Sequence, residues 1–260
     1  MNETQSNHVT TSTEGRVRTI VLNRPEKKNA LTLAMYEGLT NELQRAAEDP
    51  TIRVVVVTGV DGVFTSGNDL ADFQEAGGLG EDAPVFRFIQ ALPRFPKPLI
   101  AAVNGMAVGI GTTMLPHCDL VYASSTAIFL TPFTRLGVTP EAGSSVLLPL
   151  IAGLQRATEL LMLGETFDVE RAREAGLVNE IVSPENLPDR VSERAKALAA
   201  LPPAAVRQTK KLLRDGLPGN LGEVIAQEGT IFRDRLKSPE AQEAFAAFFE
   251  KRPADFSQFE

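Results

Sequence analysis

The chain has 260 residues, of which 43% are hydrophobic and 23% charged, as expected of a globular protein that buries a full core. Its formal net charge of −7, without any long basic run, argues against binding to nucleic acid or anionic lipid. The single cysteine, Cys118, excludes an intramolecular disulfide, and His8 and His117 lack a zinc-ligand spacing. We therefore expect a cytoplasmic protein that binds no metal, nucleic acid or membrane.

The N-terminal quarter predicts a strand, a helix and a second strand. Residues 1–14 carry neither a secretory signal nor a transit-peptide pattern, and we expect them to form a flexible tail. Arg16–Leu22 alternates polar and apolar residues, and Arg53–Thr58 is a continuous β-branched run, so both segments predict strands. Between them, Thr32 can cap a helix that ends near Asp49. The apolar positions of this helix are Met35, Leu39, Leu43 and Ala46.

Two further apolar runs, Leu99–Val103 and Leu120–Ala123, predict buried strands. The segment Leu99–Pro116 is uncharged and nearly long enough to span a bilayer, which takes about 20 apolar residues. It contains Asn104, three glycines and a terminal proline, so we interpret it as a buried strand, a turn and a helix. Strands that alternate with helices predict an α/β core.

The C-terminal fifth of the chain predicts helices only. Pro203–Arg214 has a helical pattern, and the glycine-rich stretch Gly216–Gly222 is typical of a linker. Ser238–Glu240 then combines an N-cap, a first-turn proline and an acid at the positive helix end. We therefore expect a core over residues 1–200 and a helical region over residues 201–260.

A glycine-rich turn follows the strand predicted at Leu99–Val103. Gly109 and Gly111 can aim backbone N–H groups at one point, as oxyanion and phosphate cradles do. The turn is a near miss for a dinucleotide fingerprint, but Met114 replaces the third glycine and no acid follows about 20 residues later to hold a ribose. We therefore favour a donor cradle over a dinucleotide site.

The adjacent residues His117, Cys118 and Asp119 have the composition of a nucleophile cluster. Neighbouring residues of one element cannot all converge on one point, however. We interpret this segment as the structural end of a helix.

A second turn, Ser66–Leu70, places small residues where the backbone approaches something closely. Taken alone, it equally fits a plain loop before a helix capped by Asn68 or Asp69. Together with Asn104–Thr113 and Pro140–Ser144, its spacing resembles the crotonase (enoyl-CoA hydratase/isomerase) superfamily. The resemblance covers the chain from about residue 14 to the end. It implies a spiral of repeated strand-strand-helix units with a C-terminal helical arm.

The resemblance also implies a site for an acyl-CoA thioester. The oxyanion donors that it implies are the backbone N–H groups of Asn68 and Ile110. The substrate contacts that it implies come from Ser66, Gly67, Asn68, Asp69, Leu70, Lys28, Ala30 and Phe133. Residues 66–70 would line the thioester and pantetheine, and the loop 28–30 would lie near the CoA nucleotide. No cofactor is implied, because coenzyme A is part of the substrate.

The departures from the family pattern bear on the reaction. Hydratases of this superfamily carry glutamates at the positions that Thr113 and Phe133 occupy here, because adding water to a double bond uses two carboxylates. Glu141 remains, and its surroundings are similar to those of the peroxisomal-type Δ3,Δ2-enoyl-CoA isomerases. The resemblance therefore implies an isomerase in which Glu141 moves the proton from C2 to C4.

Three interpretations stay open. The first is this isomerase, the second is an enoyl-CoA hydratase or another crotonase-type acyl-CoA enzyme, and the third is a non-catalytic acyl-CoA-binding protein. Glu141 itself could be a plain first-turn helix acid. An apolar pocket would raise its pKa and a helix N-terminus would lower it, so the sequence leaves the direction open.

The resemblance finally implies a homotrimer or a dimer of trimers. The apolar residues of the C-terminal region that would be buried in this assembly are Phe232, Phe245, Phe248 and Phe249.

Overall fold

The structure is a computed structural model that describes residues 8–75, 79–80, 82–217 and 220–259. Its strands are β1 (Val9–Glu14), β2 (Val17–Leu22), β3 (Val54–Gly59), β4 (Val63–Thr65), β5 (Leu99–Val103), β6 (Met106–Val108), β7 (Leu120–Ser124), β8 (Ile128–Leu130), β9 (Phe167–Asp168) and β10 (Glu180–Val182). Its helices are α1 (Leu33–Glu48), α2 (Leu70–Glu75), α3 (Pro84–Ala91), α4 (Ile110–Thr113), α5 (Ser144–Ala152), α6 (Leu154–Thr158), α7 (Val169–Glu174), α8 (Leu187–Ala200), α9 (Pro203–Asp215), α10 (Leu221–Leu236) and α11 (Pro239–Glu250).

The strands form two sheets. The larger has the order β1-β2-β3-β5-β7-β10 and is parallel apart from the β1–β2 hairpin. The smaller has the order β4-β6-β8-β9, and only β9 runs antiparallel to its neighbour. Each of β3, β5 and β7 is followed at once by a strand of the smaller sheet and then by a helix. This repetition confirms the predicted α/β spiral of strand-strand-helix units.

The larger sheet is covered on both faces, which explains its continuous apolar runs. One face contributes Val55, Val57 and Ala101 to the main core. The other face, with Val54 and Val56, packs against α8. As predicted, Thr32 begins α1 by accepting a hydrogen bond from the N–H of Met35 at 3.2 Å.

The prediction of a flexible tail over residues 1–14 was wrong for its second half. Residues 1–7 lie outside the described residues, but Val9–Glu14 form β1, paired along its length with β2. Most side chains of β1 are exposed, so the strand is held by backbone hydrogen bonds and not by burial. An edge strand of this kind has no apolar signature in the sequence.

The segment Leu99–Pro116 forms β5, β6 and α4, as predicted. The interpretation of His117, Cys118 and Asp119 as a structural helix end is also confirmed. Asp119 accepts from the N–H of Leu99 at 2.8 Å and pairs with Lys210 at 2.7 Å. Burial raises the pKa of the Cys118 thiol to about 12, which suits a core residue and not a nucleophile.

The C-terminal region is helical, as predicted. Ser238 caps α11 by accepting from the N–H of Ala241 at 3.2 Å. We call α10 and α11 the C-terminal arm. The linker predicted at 216–222 is short, since α10 already begins at Leu221; residues 218–219 lie outside the described residues. In the part of the chain that the structure describes, no helix combines the length and apolar character needed to cross a membrane.

Candidate active site

Glu141 lies in the connection between β8 and α5, just before the helix begins. Ala142 and Gly143 adopt left-handed backbone conformations, with φ of 59° and 69°, so the chain turns sharply into α5. The turn is fixed by Ser144, whose Oγ donates to the carbonyl oxygen of Glu141 at 2.6 Å. The Glu141 residue is buried, with 5% of its surface exposed.

The two carboxylate oxygens of Glu141 differ in their surroundings. Oε1 accepts a hydrogen bond from the Thr113 hydroxyl at 2.5 Å. Oε2 is buried and has no hydrogen-bond partner among the described residues. Buried polar atoms are normally hydrogen-bonded, and a catalytic role is one reason for an exception. Glu141 is therefore held at one oxygen and available at the other.

Burial raises the pKa of Glu141 to about 8, against the lowering effect of the Thr113 hydrogen bond and with a further rise from the charge of Glu228. The sequence left this direction open, because α5 begins close to Glu141. The structure resolves it: burial is the largest effect and raises the pKa. The N–H groups of Gly143 and Ser145 at the start of α5 donate to Glu228 and not to the Glu141 side chain. A carboxyl with a pKa near 8 is a suitable general base at neutral pH.

The first predicted oxyanion donor, Ile110, begins α4. Gly109 has φ of 56° and turns the chain from β6 into this helix. Within the described ranges, the N–H of Ile110 donates to no protein acceptor. Thr113 lies on the same helical turn, and its hydroxyl reaches both the carbonyl of Gly109, at 3.2 Å, and Glu141. Ile110 and Glu141 are thus joined through one turn of α4.

The second predicted donor, Asn68, lies between β4 and α2. The N–H of Leu31 donates to the carbonyl of Gly67 at 2.8 Å, and the carbonyl of Leu31 accepts from the N–H of Asp69 at 2.9 Å. The N–H of Asn68, between these two residues, takes no part in this pairing. That N–H has no protein acceptor in the part of the chain described. The Asn68 side chain accepts a hydrogen bond from the buried Tyr36 hydroxyl. Asn68 is therefore fixed on two sides with its N–H left free.

Glycines bring the two donor turns together. A Cβ at Gly67 would lie 2.9 Å from the carbonyl oxygen of Val108, and one at Gly111 would lie 2.5 Å from a methyl of Thr65. Only glycine permits so close a packing. The structure thus brings Asn68 and Ile110 to neighbouring turns, with Glu141 bound to the helix that Ile110 begins.

The remaining predicted contacts lie around these turns. The backbone N–H of Ser66 donates to the carbonyl of Lys28 at 3.0 Å, and this bond joins the turn at Ser66 to the loop 28–30. Lys28 is exposed, and the neighbouring carbonyl of Ala30 accepts from Arg24 at 3.0 Å. Phe133 is buried, at 5% exposure, and belongs to the same connection between β8 and α5 as Glu141.

Asp69 and Leu70 have mainly structural contacts in this structure. The Asp69 carboxylate pairs with Arg24 at 2.6 Å and accepts from the N–H groups of Ala71 and Asp72, each at 3.1 Å. Its side chain is therefore occupied in capping α2. Leu70 is half-buried in the first turn of that helix.

Sequence reasoning missed the support that Tyr36, His117 and Glu228 give to the site, and it interpreted His117 only as part of a helix end. His117 Nε2 donates to the carbonyl of Ala142 at 2.7 Å. Burial lowers the pKa of His117 to about 4, so the ring is neutral. Polar residues at apolar positions of predicted helices could have marked such supporting residues, but the sequence does not reveal which groups they bind.

Across the described residues, no group of three or more His, Cys, Asp and Glu side chains is arranged to hold a metal ion. The expectation that the protein works without a metal or cofactor stays a prediction.

The comparison with known families shows to which family the chain belongs. The model of the enoyl-CoA hydratase/isomerase family matches residues 12–259. The chain belongs to the enoyl-CoA hydratase/isomerase family. Enoyl-CoA delta isomerase 2 from Rattus norvegicus is 39% identical over 96% of this chain and 65% of its own length. This chain therefore spans slightly less than two thirds of that protein.

Other relatives match over all or nearly all of their length. The 2,3-dehydroadipyl-CoA hydratase of Escherichia coli is 35% identical over 94% of this chain and 96% of its own. A crystal structure of an enoyl-CoA hydratase/isomerase from Pseudoalteromonas atlantica has a TM-score of 0.91 and 41% identity, over 96% of this chain and 100% of that one. The fold and the resemblance predicted from the motifs are confirmed. The relatives' names cover both isomerisation and hydration, so family membership leaves the reaction open.

Proposed function

We propose that this protein is a Δ3,Δ2-enoyl-CoA isomerase in which Glu141 is the only acid–base residue. The observation that carries the proposal is the state of Glu141: a buried carboxylate with one oxygen bound by Thr113 and the other without a partner among the described residues. By resemblance, hydratases carry their two glutamates at the positions of Thr113 and Phe133. Neither residue here can accept a proton from water. A single carboxylate suffices to move a proton within one substrate.

The reaction begins when Oε2 of Glu141 takes a proton from C2 of a 3-enoyl thioester. The C–H electrons form a C1–C2 double bond, and the carbonyl electrons move onto the thioester oxygen to give a dienolate. The N–H groups of Asn68 and Ile110 donate hydrogen bonds to this oxyanion and stabilise it. The carboxyl then returns the proton to C4 as the carbonyl re-forms, which leaves the double bond between C2 and C3. No separate cofactor takes part, and coenzyme A belongs to the substrate.

The competing function is hydration of a 2-enoyl-CoA, which the name of the Escherichia coli relative favours. The two functions differ in the substrate that is consumed. Purified protein is therefore assayed with 3-enoyl-CoA and with 2-enoyl-CoA of several matched chain lengths. Isomerisation that is faster than hydration at every chain length supports the proposal, and hydration at an equal rate contradicts it. Binding of both thioesters without turnover of either would instead support the third interpretation, a non-catalytic acyl-CoA-binding protein.

We also propose a homotrimer or dimer of trimers that uses the C-terminal region. Of the four phenylalanines expected at its interface, Phe232 is buried within the chain and Phe245 is partly buried against the core. Phe248 and Phe249 are exposed and form an edge-to-face pair with ring centroids 5.6 Å apart. These two supply the apolar surface for the proposed contact. The cytoplasmic location expected from composition stays a prediction.

A further inference from the structure

A buried carboxylate from the C-terminal arm binds the start of α5. Glu228 of α10 is 7% exposed, and its two oxygens accept three hydrogen bonds. Oε2 accepts from the N–H of Gly143 at 2.6 Å. Oε1 accepts from the N–H and the hydroxyl of Ser145, at 3.0 Å and 2.5 Å. A residue far along the chain thus caps the helix that follows Glu141.

This cap determines which carboxylate the helix N-terminus binds. The first N–H groups of a helix lack partners within it and attract negative charge. The N-cap residue of α5 is Gly143, which has no side chain to bind them. Without Glu228, the acid next to these donors in the chain is Glu141 itself. A hydrogen bond from them to Oε2 would use the free oxygen and weaken it as a base.

The same contacts hold a turn that is unfavourable by itself. Ala142 has φ of 59°, a left-handed conformation that is unfavourable for a residue other than glycine. His117 binds the carbonyl of Ala142 on one side of the turn, and Glu228 binds the N–H of Gly143 on the other. The position of Glu141 therefore depends on two groups that lie outside its own segment.

We propose that Glu228 is a positioning residue for Glu141, which holds the turn at 142–143 and keeps the α5 N-terminus from binding the Glu141 carboxylate. The inference rests on the proposed function only in taking Glu141 as the base. Because Glu228 belongs to α10, its role makes the geometry of the site depend on the C-terminal arm.

The titratable groups around Glu141 come from α10, from α1 and from the segment that follows α4. Glu228 of α10 raises the pKa of Glu141 through its negative charge when it is ionised, and burial raises the pKa of Glu228 itself. Tyr36 of α1 stays protonated, because burial and the nearby Glu141 raise the pKa of its hydroxyl well above its usual value. His117 binds the carbonyl of Ala142, the residue after Glu141, and its ring is neutral. Of these three, Glu228 is therefore the only one whose charge contributes to the basicity of Glu141.

The test compares Glu228→Gln with Asp234→Asn, an exposed control that removes the same charge from the same helix. Both variants are assayed for kcat, KM and the pH profile of kcat/KM on 3-enoyl-CoA. Glu228→Gln is expected to lower kcat about tenfold or more with little change in KM, since a misplacement of about 1 Å can cost about 100-fold. It also moves the acid limb of the profile to lower pH, because a negative charge near the base is lost. Asp234→Asn retains wild-type values.

An acid limb that stays at the wild-type pH in Glu228→Gln overturns the proposal, whatever happens to kcat, because a purely structural role does not move it. If Glu228→Gln does not fold, Ser145→Ala replaces it, since this variant removes one donor to Glu228 at an exposed residue. A smaller shift of the limb in the same direction supports the proposal, and an unmoved limb overturns it.

Glu141→Gln is measured alongside to separate the two hypotheses. If Glu141→Gln is inactive while Glu228→Gln keeps the wild-type limb, only the positioning role fails. If Glu141→Gln turns over normally, or wild type has no isomerase activity, the proposed function fails. The role of Glu228 is then read by infrared titration of the Glu141 carboxyl, assigned as the band missing in Glu141→Gln. Its midpoint is expected at lower pH in Glu228→Gln, and an unchanged midpoint overturns the proposal.

Discussion

Thr113 donates its hydroxyl hydrogen to Oε1 of Glu141 across 2.5 Å. By resemblance, Thr113 occupies the position at which hydratases carry a glutamate. The turn of α4 that holds an acid–base group in those enzymes here holds a donor, and the donor orients the lone carboxylate. The other oxygen, Oε2, has no hydrogen-bond partner among the described residues. Thr113 thus stands in place of the hydratase glutamate and also holds the Glu141 carboxylate by a hydrogen bond.

Replacing Glu141 by Gln removes the proposed base. The amide keeps the shape of the side chain but cannot accept the C2 proton, so we expect kcat/KM on 3-enoyl-CoA to fall by about 10² to 10⁴. Steady-state kinetics measure the change, with the exposed Glu165→Gln as the matched control. Turnover above about a tenth of wild type would show that Glu141 is not the base.

The activity is expected to depend on pH through the ionisation of Glu141. Because the base must be deprotonated and its pKa is raised to about 8, kcat/KM should rise with pH, reach half its maximum near pH 8 and level off above about pH 9. A profile of kcat/KM over about pH 4 to 10 measures the midpoint. A midpoint near the ordinary glutamate value of 4.5 would contradict the raised pKa.

The stability of the protein should fall over the same pH range. The folded pKa of Glu141 is about 8 and the ordinary value is 4.5, so between these the folded chain holds a proton that the unfolded chain releases. By linkage, this group lowers the free energy of unfolding as pH rises through that window. Glu141→Gln cannot ionise and escapes this loss. Urea midpoints of the variant, measured relative to wild type from about pH 5 to about pH 8, should increase with pH. A constant difference would be inconsistent with a buried, ionising Glu141.

Tyr36→Phe removes the hydroxyl that binds the Asn68 side chain. Tyr36 is fully buried, with its ring centroid 5.6 Å from that of Phe88, and phenylalanine fills the same space. We expect a loss of about 1 kcal/mol of stability from the unpaired Asn68 oxygen. We also expect kcat to fall by about tenfold at most, because the backbone donor of Asn68 is retained but less fixed. Tyr122→Phe, at the other tyrosine of the chain, is the control. A rate loss as large as that of Glu141→Gln would assign Tyr36 a more direct role.

The exposed pair Phe248 and Phe249 should be needed for assembly. Replacing both by serine removes the apolar surface of α11 without affecting a buried residue, so the oligomer should dissociate toward monomer. Light scattering at micromolar concentration measures the mass. Met162→Ser, at an exposed apolar residue outside the arm, is the comparison. A monomeric wild type, or dissociation only in Met162→Ser, would contradict the role of the arm.

The sequence determined those features that depend on neighbouring residues. The valine run of β3 and the apolar runs of β5 and β7 predicted a covered sheet, and Thr32 and Ser238 predicted the helix starts that the structure confirms. The glycine turns at Gly67 and Gly111 were visible because close backbone packing requires residues without a Cβ. Strand β1 was missed because its exposed polar side chains leave no apolar pattern.

Only the tertiary structure decided how Glu141 is supported. Its partner Thr113 is 28 residues away, Tyr36 reaches Asn68 across 32 residues, and Glu228 binds Gly143 across 85 residues. The raised pKa of Glu141 follows from burial and from the nearby charge of Glu228. Both depend on distances through space, which no local pattern encodes, since a buried group is stabilised or destabilised by the charges and donors that folding brings to it.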